Sequence, residues 1–179
     1  SPAERDVVEQ AAPSNPEAWD RYVHALALYR ANWNTEAESD QIEADGWFAE
    51  ASWGTREICW SPTFSYRYAH FDGDDPNTPE DEQFREIAYG FSDYGSWFQG
   101  EITGNYPLAN GNTNTHRVRV KMKPSESVTL NVMYYDYTLD QEQIWGDPVT
   151  SDDWGQELNF TVDWAATEQI YVIGVLGKA

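Results

Sequence analysis

Most of this chain alternates between apolar and polar positions. Residues 43–53 put Trp47, Ala49, Ala51 and Trp53 on one parity and Phe48, Glu50 and Ser52 on the other. Residues 63–70 set Phe64, Tyr66 and Tyr68 against Ser65 and Arg67. Residues 96–106 set Phe98, Gly100, Ile102, Gly104 and Tyr106 against Trp97, Gln99, Glu101, Thr103 and Asn105. In 115–123, His116, Val118, Val120 and Met122 oppose Arg117, Arg119, Lys121 and Lys123. In 128–137, Val128, Leu130, Val132 and Tyr134 oppose Thr129, Asn131, Met133 and Tyr135. In 156–164, Leu158, Phe160, Val162 and Trp164 oppose Glu157, Asn159, Thr161 and Asp163. Residues 169–177 are apolar on both parities. A period of two bounded by turn residues predicts strands. Residues 16–33 fit two elements. Asn15-Pro16-Glu17 is a helix start followed by Trp19, Tyr22, Val23 and Leu26 at helical spacing, yet 23–33 also alternates. Residues 1–15 are polar and read as a loop or tail.

The connections sharpen this pattern. Residues 124–127 and 165–168 are short turns, whereas the segment from Phe71 and the segment 138–155 are long and acidic. Barrels keep short turns on one side and longer loops on the other. With eight crossings, 71–95 falls on the short-turn side. Reading 84–91 as a ninth strand, with Ile87, Tyr89 and Phe91 on one face and 92–95 as a tight turn, restores the sorting. The expectation is therefore an all-β, antiparallel up-and-down transmembrane barrel over 16–179, with about eight or nine strands in this chain. A soluble sheet with one wetted face makes the same alternation.

Composition narrows the classes. The chain has 179 residues, with 9 Trp, 11 Tyr and 7 Phe, and a net charge of -20. Disordered acidic chains are poor in aromatics, so an ordered protein is expected. Two ordered classes use this many: carbohydrate-binding β proteins, which stack sugars on them, and outer-membrane barrels, which set them in girdles. Trp33, Trp47, Trp53 and Trp164 lie near strand ends and suit a girdle. Mean hydropathy is -0.71, and no apolar run reaches the ~18 residues a helical span needs. The acidic balance offers no basic stripe for nucleic acid. Cys59 is the single cysteine, so no internal disulfide and no multi-thiol metal site is expected. Ser1 opens the chain with no charged and apolar leader, which reads as a mature, trimmed or partial sequence.

Two motifs carry a resemblance. One is Ser65-Tyr66-Arg67-Tyr68-Ala69-His70-Phe71-Asp72-Gly73-Asp74-Asp75-Pro76. The other is Tyr89-Gly90-Phe91 with Gly95-Ser96-Trp97-Phe98-Gln99-Gly100-Glu101-Ile102-Thr103-Gly104-Asn105-Tyr106. Together with Asn112–His116, Lys123-Pro124-Ser125-Glu126 and Glu157-Leu158-Asn159, they make roughly residues 20–179 resemble the alginate-export family of outer-membrane proteins. The resemblance implies a β-barrel in the outer membrane of a Gram-negative bacterium. Its arginine-lined, anion-selective lumen would pass an acidic polysaccharide such as alginate, beside periplasmic secretion machinery. Family members are longer, so the chain reads as a C-terminal-side portion. It ends Leu176-Gly177-Lys178-Ala179, without the terminal aromatic of such barrels.

Candidate pore residues follow from charge. Rings of Arg or Lys select anions, and the planar guanidinium pairs with a carboxylate bidentately. Arg117, Arg119 and Lys121 share one strand face. In a membrane barrel that face is the lumen, because each cation turned to lipid costs ~2–4 kcal/mol near the midplane. Arg67 sits inside the first motif, and Arg30 is a further candidate. The plainer role for Arg67 is an ion pair to a carboxylate such as Glu50; for Arg117, Arg119 and Lys121 it is a charged solvent face paired with nearby acids. Asp72, Asp74 and Asp75 could hold Ca²⁺, but they lack the full EF-hand pattern and read better as a solvated acidic loop. His24, His70 and His116 are scattered, and Glu101 and Asp163 form no evident catalytic pair, so neither enzyme nor cofactor is expected. The competing readings are a soluble carbohydrate-binding β-sheet protein with Trp/Tyr stacking platforms, and a hydrolase or lyase with incidental likeness.

Overall fold

The computed structural model describes residues 44–84, 99–108 and 111–179, and the backbone of 22–31. The described part is all-β, with no helix. The strands are β1 (Tyr22–Ala31), β2 (Ala44–Gly54), β3 (Thr63–Phe71), β4 (Thr113–Ser125), β5 (Val128–Leu139), β6 (Gln143–Ile144), β7 (Asp147–Pro148), β8 (Asp153–Ala165) and β9 (Tyr171–Lys178). Seven of them form one sheet in the order β1-β2-β3-β4-β5-β8-β9, every pair antiparallel. β6 and β7 make a separate two-stranded ribbon inside the β5–β8 connection. Among the described residues the sheet is open, with β1 and β9 as its edges.

Local chemistry sets the strand ends and irregularities. Glu126 and Ser127 turn β4 into β5. The register slips between Met122 and Ser125, where Pro124 has no N–H to give to a ladder. It slips again at Thr138, beside Gly155, whose φ of 129° makes it the residue suited to a β-bulge. Cys59 is exposed in the connection between β2 and β3.

The strands predicted around 43–53, 63–70, 115–123, 128–137, 156–164 and 169–177 are all present, with ends moved by a few residues. Of the two elements weighed for 16–33, the described part is a strand; residues 16–21, 32 and 33, Trp33 among them, lie outside the described residues. The strand expected at 96–106 is corrected over its described part: 99–100 lie in no strand and 101–107 are turns ahead of β4, while 96–98 lie outside the described residues. Two of the five positions on its supposed apolar face were Gly100 and Gly104, which supply no side chain to define a face. Gly100 has a φ of 113°, a conformation that departs from the regular pleat of a strand. Of the proposed strand 84–91, Phe84 is buried and outside any strand; the rest, and the turn at 92–95, lie outside the described residues. β3 pairs directly with β4, so 99–106 adds no crossing between them. The sorting of connections survives without it: 55–62, 126–127 and 166–170 leave one end of the sheet, and 72–112 and 140–152 leave the other.

One face of the sheet is covered and the other is open. Apolar side chains on the covered face gather at the long-connection end. Ala44, Phe48, Ala69 and Phe71 pack with Phe84, and Met133, Tyr135, Tyr137 and Leu139 pack with Leu108. Both Phe84 and Leu108 come from the 72–112 connection, whose described residues reach back over this face.

Candidate functional site

Toward the middle of the covered face the side chains become charged. The ladders align Glu50, Arg67, Arg117, Tyr135 and Glu157 in one row across five strands. Arg119 stands in the next row, opposite Ser65 and Met133, and Lys121 in the one after, opposite Thr63 and Asn131. The alternation of β3 and β4 thus brings four of the five predicted basic residues onto one face. Arg30 is the exception. The register sets its backbone opposite Asp45, and its side chain lies outside the described residues.

Arg67 and Arg117 are direct cross-strand partners, and like charges so placed repel. Glu50 resolves the conflict. Its Oε2 accepts from Arg67 Nε at 2.8 Å and from Arg117 Nη2 at 2.7 Å, with Arg67 Nη2 a third donor. The ion pair foreseen for Arg67 is therefore present, and Arg117 joins it. The Arg67 guanidinium also lies 4.3 Å from the centroid of the Phe48 ring, a cation–π contact. Arg117 is wholly buried, and its Nε and Nη1 have no hydrogen-bond partner among the described residues. Arg119 donates from Nε and Nη2 to Asn131 Oδ1 at 2.9 and 2.7 Å. Asn131 in turn donates to Thr161 Oγ1 at 2.9 Å and to Asp163 Oδ2 at 3.4 Å.

A second group completes the face. Residues 99–108 form a compact strap held on β5 and β8. Glu157 accepts from the backbone N–H of Ile102 at 2.9 Å and of Thr103 at 2.7 Å. Asn159 Oδ1 accepts from Glu101 N at 2.9 Å, and Tyr137 donates its hydroxyl to the carbonyl of Gln99 at 2.6 Å. Tyr137 stacks on Tyr135 with ring centroids 5.8 Å apart. Reasoning from the sequence missed Glu157, Asn159 and Tyr137. Gly100 and Gly104, four residues apart, were the available turn signal.

No protein-family model, curated protein or solved structure matches this chain.

The open face carries the opposite chemistry. Trp53, Phe64, Tyr66, Val118, Tyr134, Leu158, Phe160, Trp164, Val172 and Leu176 are all exposed, Leu176 at 71% and Leu158 at 50%. By contrast Glu157 and Asn131 are 1% exposed. Trp47, Trp53 and Trp164 share this face, as a girdle role requires. Polar side chains on it cluster toward the long-connection end. There Tyr66 bonds His116 at 2.7 Å, and Asn114 Oδ1 meets both Tyr68 and His70.

The acidic segment does not converge. Asp72 accepts from Asp45 N and contacts His70 Nε2 at 2.8 Å, Asp74 accepts from Glu82 N, and Asp75 accepts from Asn77. No group of three potential ligands is positioned for a metal among the described residues.

Proposed function

We propose that this chain is one wall of an outer-membrane β-barrel, and that its basic ladder lines a conduit for export of an anionic polysaccharide of the alginate type. The observation that carries this reading is the inversion of polarity across the sheet. A sheet in water hides its apolar face and wets its polar one. Here ten large apolar or aromatic side chains face outward on the open face while Arg117, Glu157, Asn131, Asn159 and Thr161 are buried on the other. A contiguous apolar surface of this kind supports its reading as the lipid face of a membrane barrel. On β5 it runs from Val128 to Tyr134, about 20 Å of strand at ~3.4 Å per residue, comparable with the ~25 Å band of such barrels. Tyr66 and Tyr134 mark one margin, and Trp53 and Trp164 lie toward the other.

The ladder suits an anion. Arginines grip carboxylates, and conduction needs that grip to be weak and repeated. Glu50 shared between Arg67 and Arg117 lowers their pull, while Arg117 keeps two nitrogens without a hydrogen-bond partner among the described residues. The identity of the polymer, and an association with periplasmic secretion machinery, rest on the family resemblance of the Ser65–Pro76 and Tyr89–Tyr106 motifs. Direction supports the word wall. β1 and β9 are first and last of seven alternating strands, so they run the same way. An all-antiparallel barrel then needs an odd number of further strands between them.

The test is reconstitution in planar bilayers with reversal potentials measured across a salt gradient. Replacing Arg67, or Arg117 and Arg119 together, with Ala should lower anion selectivity. Unchanged selectivity removes those residues from the conduit. A monomer that stays soluble without detergent and binds glycans through the Trp/Tyr face would overturn the membrane reading in favour of a sugar-binding sheet.

A further inference from the structure

Resting on that reading, the geometry points to Glu157 as a positioning residue that pins 99–108 as a strap across the conduit and so sets its width. The strap is built to receive a carboxylate. Two consecutive N–H groups, of Ile102 and Thr103, converge on the two oxygens of Glu157 at 2.9 and 2.7 Å. Successive backbone N–H groups in a turn make an anion-binding concavity. Here the anion is the protein's own, brought from a strand remote in sequence.

The strap is internally compact and fitted to its seat. Tyr106 N donates to the Ile102 carbonyl at 3.0 Å, and Leu108 N to the Thr103 carbonyl at 3.1 Å. A Cβ at Gly100 would collide with the Tyr137 hydroxyl, and one at Gly104 with the Gln99 carbonyl. Asn159 backs Glu157 by donating from Nδ2 to its Oε1 and accepts from the strap at Glu101 N. Glu157 occupies the same row as Arg67 and Arg117. The strap therefore rests on the wall beside the ladder and takes up space on the covered face. Gln99 is buried there, and its side-chain polar atoms have no hydrogen-bond partner among the described residues. A strap held by one carboxylate and a few polar contacts can be released without unfolding the sheet.

The experiment uses the full chain with Glu157→Gln, and the pair Ile102→Cys/Gly177→Cys made in Glu157→Gln with Cys59→Ser, so that oxidation re-seats a strap that Glu157 no longer holds. A Cβ at Gly177 would lie 3.3 Å from Ile102 Cγ1, the position a cysteine sulfur would take, which suits a disulfide. The first readout is amide exchange of Ile102 and Thr103 in detergent micelles. Glu157→Gln should speed it by roughly tenfold or more, since hydrogen bonds to a charged acceptor are lost. The second is single-channel conductance, expected to rise in Glu157→Gln and to fall reversibly when the cysteine pair is oxidised. Unchanged exchange in Glu157→Gln overturns the role of Glu157. Faster exchange with unchanged conductance overturns the narrowing, as does an oxidised pair that conducts like the reduced one. If neither the parent chain nor any variant inserts or conducts, the membrane reading itself fails. The exchange result then still reports whether Glu157 holds the strap.

Discussion

Placing a charge in the middle of the open face separates lipid from water as its neighbour. Val132 lies on β5, the fifth of seven strands, with Val120 and Phe160 beside it in register. Leu130 and Tyr134 stand two residues away on the same face. At a bilayer midplane, an outward Arg on a barrel costs ~2–4 kcal/mol, falling to ~0–1 kcal/mol near the interfaces. At 1.36 kcal/mol per tenfold, the midplane figure is about 30- to 900-fold in the folding equilibrium. Gln156 shares the open face at the polar end, opposite Asp136, and serves as the control. The assay is reversible urea unfolding from phospholipid vesicles, comparing Val132→Arg and Gln156→Arg with the parent chain. Val132→Arg is expected to lose ~2–4 kcal/mol and Gln156→Arg at most ~1 kcal/mol. A wetted sheet predicts a different result, because an exposed substitution usually stays within ~0.5 kcal/mol. Equal losses at the two positions, or a Val132→Arg loss below ~1 kcal/mol, would refute the reasoning that this face meets hydrocarbon.

Three further outcomes follow from the covered face. Glu50→Ala leaves two buried guanidinium groups facing each other and should cost ~3–5 kcal/mol in the same unfolding assay; a loss under ~1 kcal/mol would mean the shared carboxylate holds little. Gly100→Ala forces a side chain into a φ of 113° against the Tyr137 hydroxyl, and should weaken seating of the strap by ~1–3 kcal/mol, read as faster proteolysis between Gln99 and Leu108. Burial, and then the nearby Glu157 carboxylate, hold the Glu101 carboxyl above the ordinary carboxylate range. The seated strap thus binds that proton more tightly than the released one, so its contribution is full below the ordinary value and is lost as pH rises through the raised one. Amide exchange of the strap should quicken over that window, and Glu101→Gln should flatten the dependence.

The regular part of the sheet was legible because its alternation is sustained by side chains of clear character. Val118, Val120 and Met122 against Arg117, Arg119 and Lys121 fix both the strand and its two faces. The grouping of Arg67 with Arg117 needed only parity, and Glu50 was named as a partner from its place on a neighbouring strand. The pattern misled at 99–106, where Gly100 and Gly104 mimicked an apolar parity while supplying backbone freedom. Arg30 could not be placed because face depends on register, and a one-residue change of register exchanges the faces. Glu157 looked like any strand carboxylate; its partners are backbone amides 54 and 55 residues away in sequence, and local spacing carries no trace of such contacts.

The exposed thiol of Cys59 gives the sheet an intrinsic polarity marker. It lies in the connection at the short-turn end, opposite the end that carries the acidic connections. No second cysteine competes with it anywhere in the chain. With this chain reconstituted in phospholipid vesicles, a maleimide too polar to cross a bilayer would therefore report on which side the short turns lie. Labelling before and after the vesicles are permeabilised would read out orientation directly.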